Sequence, residues 1–449
     1  MFKKKDLTNV PVYKALIQLS IPLVLINVIA TLYQVVDMFW VAKLGTESIA
    51  GISVSFPIIF VVNSIMFGIS SSGAIIIAQY FGKKKHKKVE YYAGQTLIWL
   101  TIIGLCTGII GYLISDLLVT LIGAESNVSI LASSYTKIIF IGIVFGYVYQ
   151  GFTSILRSLG EVKLPLIIAF IGLVLNFILD PLFIFGGYGV PAMGVKGAAI
   201  ATVLTQGASL LIALIWLTLN KELVHIRKKN LYPNKKALFE FIKIGVPTTL
   251  EFLSRSIGFV LLTFIIAWFG TNAIAAYGIG MRVTSLATIP SFGISLATLT
   301  LVGQTLGAKK TKKVHEIIKK GMIFSFTFLT ILEILILIFV KELTSFFIEN
   351  NLAVMNEAIT SIVMFVLLFG LFGANVVILT AYRGAGKTTI AMILSFANIF
   401  TQIIVSLILI FIFNMGLFGV WLSYPITTII IFIISYGYYK THPIEKSIV

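Results

Sequence analysis

The chain reads as a succession of long apolar runs separated by short polar segments. Runs of about 20 residues or more are what an α-helix needs to span bilayer hydrocarbon. The pattern predicts helices over residues 12–40, 47–79, 91–119, 129–155, 164–187, 195–219, 238–268, 274–303, 317–345, 357–381, 389–413 and 416–439, which makes twelve. No stretch alternates apolar and polar positions as the strands of a membrane barrel would. The first run follows a short basic start but is too long for a signal peptide and lacks a small-residue cleavage site. It counts as the first membrane helix of an all-α integral membrane protein.

Composition agrees. Of 449 residues, 58% are hydrophobic and only 11% charged, where a soluble domain carries roughly a quarter charged residues; mean hydropathy is +1.03. In a soluble protein the net charge of +17 would suggest nucleic acid, but here its placement matters more. Alternate loops hold 28 of the 34 Lys and Arg, among them Lys3 to Lys5, "GKKKHKK", "KELVHIRKKNLYPNKK" and "GAKKTKKVHEIIKK". The positive-inside rule makes that side cytoplasmic, so a multi-pass protein of the cell membrane with both termini in the cytoplasm is expected. No face gathers this charge beside base-stacking aromatics, so a nucleic-acid partner is not expected. Cys106 is the single cysteine, and His86, His225, His315 and His442 are far apart, so neither a disulfide nor a metal site is predicted.

An internal repeat organises the helices. At a shift of 225, Pro22 meets Pro247, Gly45 meets Gly270, and Gln79 with Gly82 meets Gln304 with Gly307. At a shift of 226, "RSLGEVK" with Arg157 and Gly160 meets "RGAGKTT" with Arg383 and Gly386, and at 222 "MGVKG" meets "MGLFG". The expected domains are an N-terminal six-helix lobe over 1–219, a cytoplasmic linker over 220–237 and a C-terminal six-helix lobe over 238–449. An even number of helices per copy gives both lobes one orientation, related by a pseudo-two-fold axis along the membrane normal. Such paired bundles belong to transporters that expose a site to each side in turn. HExxH, GxSxG and paired catalytic residues are absent from the helices, so an enzyme is not expected.

Four stretches resemble the multidrug and toxic compound extrusion (MATE) family: "VDMFWVAKLGTESIAGISVSFPI", "RSLGEVKLPLIIAFIGLVLNFILDPLFIFGGYGVPAMGVKGAAIATVLTQ", "GVPTTLEFLSRSIGFVL" and "GTNAIAAYGIGMRVTSLATIPSFGISLATLTLVGQTLGAKK". The resemblance covers essentially the whole chain. It implies a two-lobed secondary antiporter that exports cationic or amphipathic small molecules in exchange for protons or sodium ions. It implies a monomer among membrane lipids, with no cofactor and no ATP.

Within the apolar runs stand four acids, Asp37, Asp180, Glu251 and Glu333. Intramembrane carboxylates are costly and mark function by default. At about 1.5 Å per residue, Asp180 lies roughly 25 Å beyond Lys163 and Asp37 roughly 35 Å beyond Lys14, so both fall in the outer half of one lobe. Asn176 and Asp180 share a helix face at i, i+4, and Pro181 removes a backbone donor and frees a carbonyl. Those oxygens suit a hard cation or a proton. In the second copy the same registers carry Leu262, Gln402 and Ser406, so the fold can be built without the acids. The resemblance assigns cation coupling to Asp37, Asp180 and Asn176, as in its DNA-damage-inducible branch. The other bacterial branch uses an acid in helix ten, and this chain has none there.

Glu251 and Arg255 can pair across one turn, as a structural ion pair or as a gating or substrate contact together with Gln34. Pro22 and Pro181 are candidate hinges, and Arg282 is placed to snorkel. "RGAGKTT" looks like a phosphate loop but has Ala381 where the pattern wants glycine, and it joins two membrane helices. The alternative function, a lipid-linked oligosaccharide flippase of the same superfamily, would call for several Arg or Lys in the cavity, whereas acids prevail here.

Overall fold

The computed structural model describes residues 6–123, 125–220, 225–348 and 351–449; Lys3 to Lys5 of the basic start and 221–224 of the linker lie outside them. The helices are α1 (Val12–Ala42), α2 (Thr46–Gly82), α3 (His86–Ile122), α4 (Ser126–Ser158), α5 (Lys163–Phe185), α6 (Val195–Leu219), α7 (Lys235–Ala267), α8 (Thr271–Gly307), α9 (Thr311–Ile338), α10 (Val340–Ser345), α11 (Leu352–Val366), α12 (Phe369–Gly384), α13 (Thr388–Phe411) and α14 (Gly416–Thr441). Eleven are long and apolar enough to cross a membrane, and α11 with α12, bent by 47°, supply a twelfth span. Among the described residues the only extended pairing is the bridge between Gly187 and Val190, in the turn joining α5 to α6. This is a multi-pass helical membrane protein.

Two expected helices are corrected. The run over 317–345 ends at Ile338 and restarts as the short α10, and the run over 357–381 is two helices separated at Leu367 and Leu368. Both are uninterrupted in hydropathy, so apolar patterning carries no sign of either break.

The repeat is written into the backbone. Gly45 and Gly270 turn at φ 104° and 93°, Lys84 and Lys309 at 58° and 59°, Gly160 and Gly386 at 76° and 83°, and Gly194 and Gly416 at 56° and 55°. Each pair sits at the shift read from the sequence. Left-handed φ values are uncommon enough away from glycine that the lysine pair is informative.

Two compact units emerge, one of residues 25–249 and the other of 7–24 with 250–448. The later part of α1 and the start of α7 therefore belong to the first unit, and the start of α1 and the later part of α7 to the second. In the first unit a Cβ on Gly68 of α2 would stand 2.0 Å from Thr249 Oγ1 and 2.7 Å from Gly245 O of α7. In the second, a Cβ on Gly293 of α8 would stand 2.8 Å from Val24 N of α1. Gly68 and Gly293 are one repeat apart, as are Val24 and Thr249, so the same glycine contact seats an incoming helix in each unit.

Each unit has its own core. Ile58, Val62, Leu100, Phe140, Ile143 and Tyr147 pack α2, α3 and α4 together; Leu262, Ile266, Tyr277, Phe365 and Trp421 do the same for the second. Leu113 and Leu121 are 71% and 74% exposed, an apolar surface that lipid rather than water can solvate.

Candidate functional site

One buried face of α5 carries Ile168, Gly172, Asn176, Asp180 and Ile184, the spacing at which residues stack on one side of a helix. Gly172 has no side chain to hold α6 away, and a Cβ there would stand 3.0 Å from Ser209 Oγ. The close approach brings Thr202 and Thr205 of α6, both buried, beside the polar part of α5. Asp37 comes from the last turns of α1, in the same unit.

The structure brings together the three residues singled out in the sequence. Asn176 Nδ2 donates to Asp37 Oδ1 at 2.9 Å and to Asp180 Oδ1 at 3.1 Å, so one amide bridges the two carboxyls. Asn176 and Asp180 are fully buried, and Asp37 is half-buried. The Asp37 and Asp180 carboxyls share one amide nitrogen, which holds their Oδ1 atoms close to each other. Two carboxylates at such separation repel strongly unless a proton or a cation lies between them. Neither acid has an ion-pair partner among the described residues. Lys43, the nearest base in sequence, stands over the Phe39 and Trp40 rings at 4.7 and 4.3 Å.

Several acceptors at this place are left over. Asp180 Oδ2, Asn176 Oδ1, Thr202 Oγ1 and Thr205 Oγ1 are buried without a hydrogen-bond partner, as is the Tyr33 hydroxyl. Thr202 approaches Asp37, and both threonines approach Tyr33, without closing a well-formed bond. Orphaned buried polar atoms are rare and call for a reason. Carboxylate, amide and hydroxyl oxygens with no nitrogen or sulfur ligand suit a hard cation or a proton. Tyr33, Thr202 and Thr205 escaped the sequence reading. Tyr33 stands one turn before Asp37, a visible signal, but the threonines resemble ordinary helix-packing residues.

The second unit answers with a neutral version. At the registers of Asn176 and Asp180, Gln402 Nε2 donates to Ser423 Oγ at 2.6 Å and Ser406 Oγ to Ser423 Oγ at 2.8 Å. Leu262, at the register of Asp37, is buried in the core. There Gln402, Ser406 and Ser423 satisfy one another.

A different polar cluster occupies the second unit. Glu251, 1% exposed, has Arg255 Nη2 3.8 Å from one oxygen and Arg383 Nε 3.8 Å from the other. Arg383 also donates to Thr380 Oγ1 at 2.8 Å and to Ser295 Oγ at 3.3 Å. Arg255 lies over the Phe252 and Phe292 rings at 5.6 and 5.5 Å. The pairing of Glu251 with Arg255 was legible from spacing; Arg383 was not, because it comes from a distant helix.

Among the remaining candidates, Pro181 directly follows Asp180, and Gln34 directly follows Tyr33. Gln34 is exposed. Pro22 lies inside α1 and Pro181 inside α5, each helix continuing through it. Arg282 stands over the Phe347 ring at 6.0 Å. "RGAGKTT" forms the end of α12 and its turn into α13, so no strand precedes it and the phosphate-loop context is missing.

Comparison with known proteins agrees with this architecture. A family model described as MatE matches residues 22–182 and again 247–412, once in each half. A probable multidrug resistance protein, YoeA of Bacillus subtilis, is 28% identical over 96% of this chain and 94% of its own. Another, NorM of Thermotoga maritima, is 30% identical over 91% of this chain and 88% of its own. Among solved structures, a MOP superfamily transporter from Pyrococcus furiosus superposes with a TM-score of 0.91 at 24% identity, over 98% of both chains.

Proposed function

This chain belongs to the MatE family of multidrug efflux transporters, and on that premise we propose that it is a secondary antiporter exporting cationic or amphipathic small molecules by alternating access, driven by protons or sodium ions. The observation that carries the coupling site is the Asn176 amide bridging two buried carboxyls beside orphaned oxygen atoms. Asp37 and Asp180 hold the coupling cation, Asn176 fixes their separation, and Thr202 lends a further oxygen. A cation entering this site removes the repulsion between the two carboxyls, so its binding energy is available to favour one conformation over another. Pro22 and Pro181 serve as hinges, while Glu251, Arg255 and Gln34 contribute to gating or substrate contact. Both termini face the cytoplasm. The driving force is an ion gradient without ATP, and the working unit is a monomer.

The flippase alternative is weaker. A carrier of pyrophosphate-linked sugars would line its path with free guanidinium and ammonium groups, whereas Arg255 and Arg383 both lie against Glu251.

Reconstitution into proteoliposomes tests the reading. With an imposed proton or sodium gradient, the wild type takes up a fluorescent lipophilic cation, and Asp37→Asn and Asp180→Asn lose the gradient-driven part. Undiminished gradient-driven uptake in both variants would refute the coupling assignment.

A further inference from the structure

Glu333 is the one intramembrane acid that belongs to neither cluster. It lies on α9, and its Oε1 accepts a hydrogen bond from Leu368 N at 3.1 Å. Leu368 separates α11 from α12, with φ 69° and ψ 25°, a left-handed conformation disfavoured for any residue bearing a Cβ. Leu367 before it is extended at ψ 124°. In an unbroken helix the Leu368 amide would donate to the carbonyl of residue 364. Here a carboxylate from a neighbouring helix has taken that amide, one of the few identifiable ways in which a helix is kinked sharply.

The repeat supplies the control. The helix pair α3 and α4 in the first unit corresponds to α9 and α11–α12 in the second. At the registers of Leu329, Glu333 and Ile336, α3 carries Gly104, Gly108 and Gly111. A Cβ on Gly108 would stand 2.6 Å from Phe140 O, and one on Gly111 2.2 Å from the Phe140 ring. So α4 lies directly on the backbone of α3, and it runs unbroken from Ser126 to Ser158. In the second unit the bulk is reversed. α9 carries the large residues, and α12 makes room with Gly370, where a Cβ would stand 2.2 Å from Thr330 Oγ1, and Gly373, 2.4 Å from Leu329 Cδ1.

We infer that Glu333 is a positioning residue that holds the tenth span broken, inserting a carboxylate where the first unit has a glycine. Beyond the break, α12 carries Asn375, buried with its Oδ1 unpartnered, and Arg383, which lies against Glu251. The angle that Glu333 maintains sets where these groups stand. The role is local to the second unit and does not depend on which ion drives transport.

Distances between spin labels at Leu352 and Lys387, in a chain whose only cysteine, Cys106, has been replaced by serine, report the angle. At 1.5 Å per residue α11 and α12 are about 22 and 24 Å long, and the labels stand near their far ends; opening the 47° bend lengthens the label distance by about 4 Å. Glu333→Gly, which copies the first unit, is expected to give the longer distance. Glu333→Gln keeps an acceptor oxygen and is expected to retain the wild-type distance, which also shows that the labelled protein folds. Uptake of a fluorescent lipophilic cation should follow the same order, with Gln near wild type and Gly reduced severalfold in maximal rate; this arm rests on the export reading, while the distance does not. An unchanged distance in Glu333→Gly, or the longer distance in both variants, would overturn the assignment.

Discussion

Asp180→Asn isolates the charge of the proposed cation site from its shape. Asparagine occupies nearly the same volume, and its amide oxygen can still accept from Asn176 Nδ2, which now sits 3.1 Å from Asp180 Oδ1. What disappears is one of two carboxylates. A unit charge about 4 Å from a cation is worth about 4 kcal/mol at an effective dielectric constant of 20. Part is offset because asparagine leaves less repulsion with Asp37 in the empty site. A net loss of about 2–3 kcal/mol remains, a rise of about 30–150-fold in the cation dissociation constant. Thermal melting of the purified protein in detergent reads this directly. A ligand that binds the folded state raises stability by RT ln(1 + [L]/Kd), so at 100 Kd the wild type gains about 2.7 kcal/mol and the variant, at the same concentration, about 0.3–0.9. With the cation absent the order reverses, since Asp180→Asn has lost a repulsion and should melt at or above the wild-type temperature. A variant whose melting responds to cation or pH as steeply as the wild type's, or one that melts lower in the absence of cation, would show that Asp180 is architectural.

Thr202→Val removes one oxygen from the same site and no charge, so it should flatten the cation response by less than Asp180→Asn; an equal effect would place the hydroxyl on par with the acid. Arg383→Met leaves the buried Glu251 with only Arg255, 3.8 Å away; breaking a buried pair in this way costs about 3–5 kcal/mol, and the double variant with Glu251→Met should melt well above the single one. Gly68→Ala and Gly293→Ala should each cost about 1–3 kcal/mol by overpacking, because the added Cβ meets backbone atoms at 2.7 and 2.8 Å. Gly278→Ala, with nothing within 4 Å of its Cβ, should melt no lower than wild type, since alanine is the better helix former.

The legible parts of the fold are those set by solvent and by chain connectivity. Lipid demands an apolar run of fixed length, and Gly45 with Gly270 or Gly160 with Gly386 mark the turns between runs, so helices and repeat could be read from residues near one another in sequence. The candidate cation site was legible for the same reason in part: Asn176 and Asp180 lie one turn apart, and acids in an apolar run stand out. Thr202 and Thr205 did not, because what distinguishes them is the approach of α6 to α5 permitted by Gly172, a fact about two helices rather than one. Arg383 was hidden likewise, since its partner Glu251 stands 132 positions earlier.

The break at Leu367 and Leu368 shows why apolar patterning fails there. "VLLFGLFGANV" is apolar on both sides of the break, and hydropathy measures the cost of leaving water, which is the same for a straight span and a bent one. The cause sits 35 residues away in Glu333, and what makes it readable is the comparison between repeats. Asp37 against Leu262, Asp180 against Ser406 and Gly108 against Glu333 are three registers at which the two copies differ in charge. At the first two the acid belongs to the first unit, where it stands among orphaned oxygens; at the third it belongs to the second, where it is satisfied by a backbone amide. An acid with spare acceptors can bind a cation, whereas one whose oxygen already caps a helix break fixes geometry. The same residue type in the same membrane therefore does different work in the two copies, and the difference lies in what its oxygens still lack.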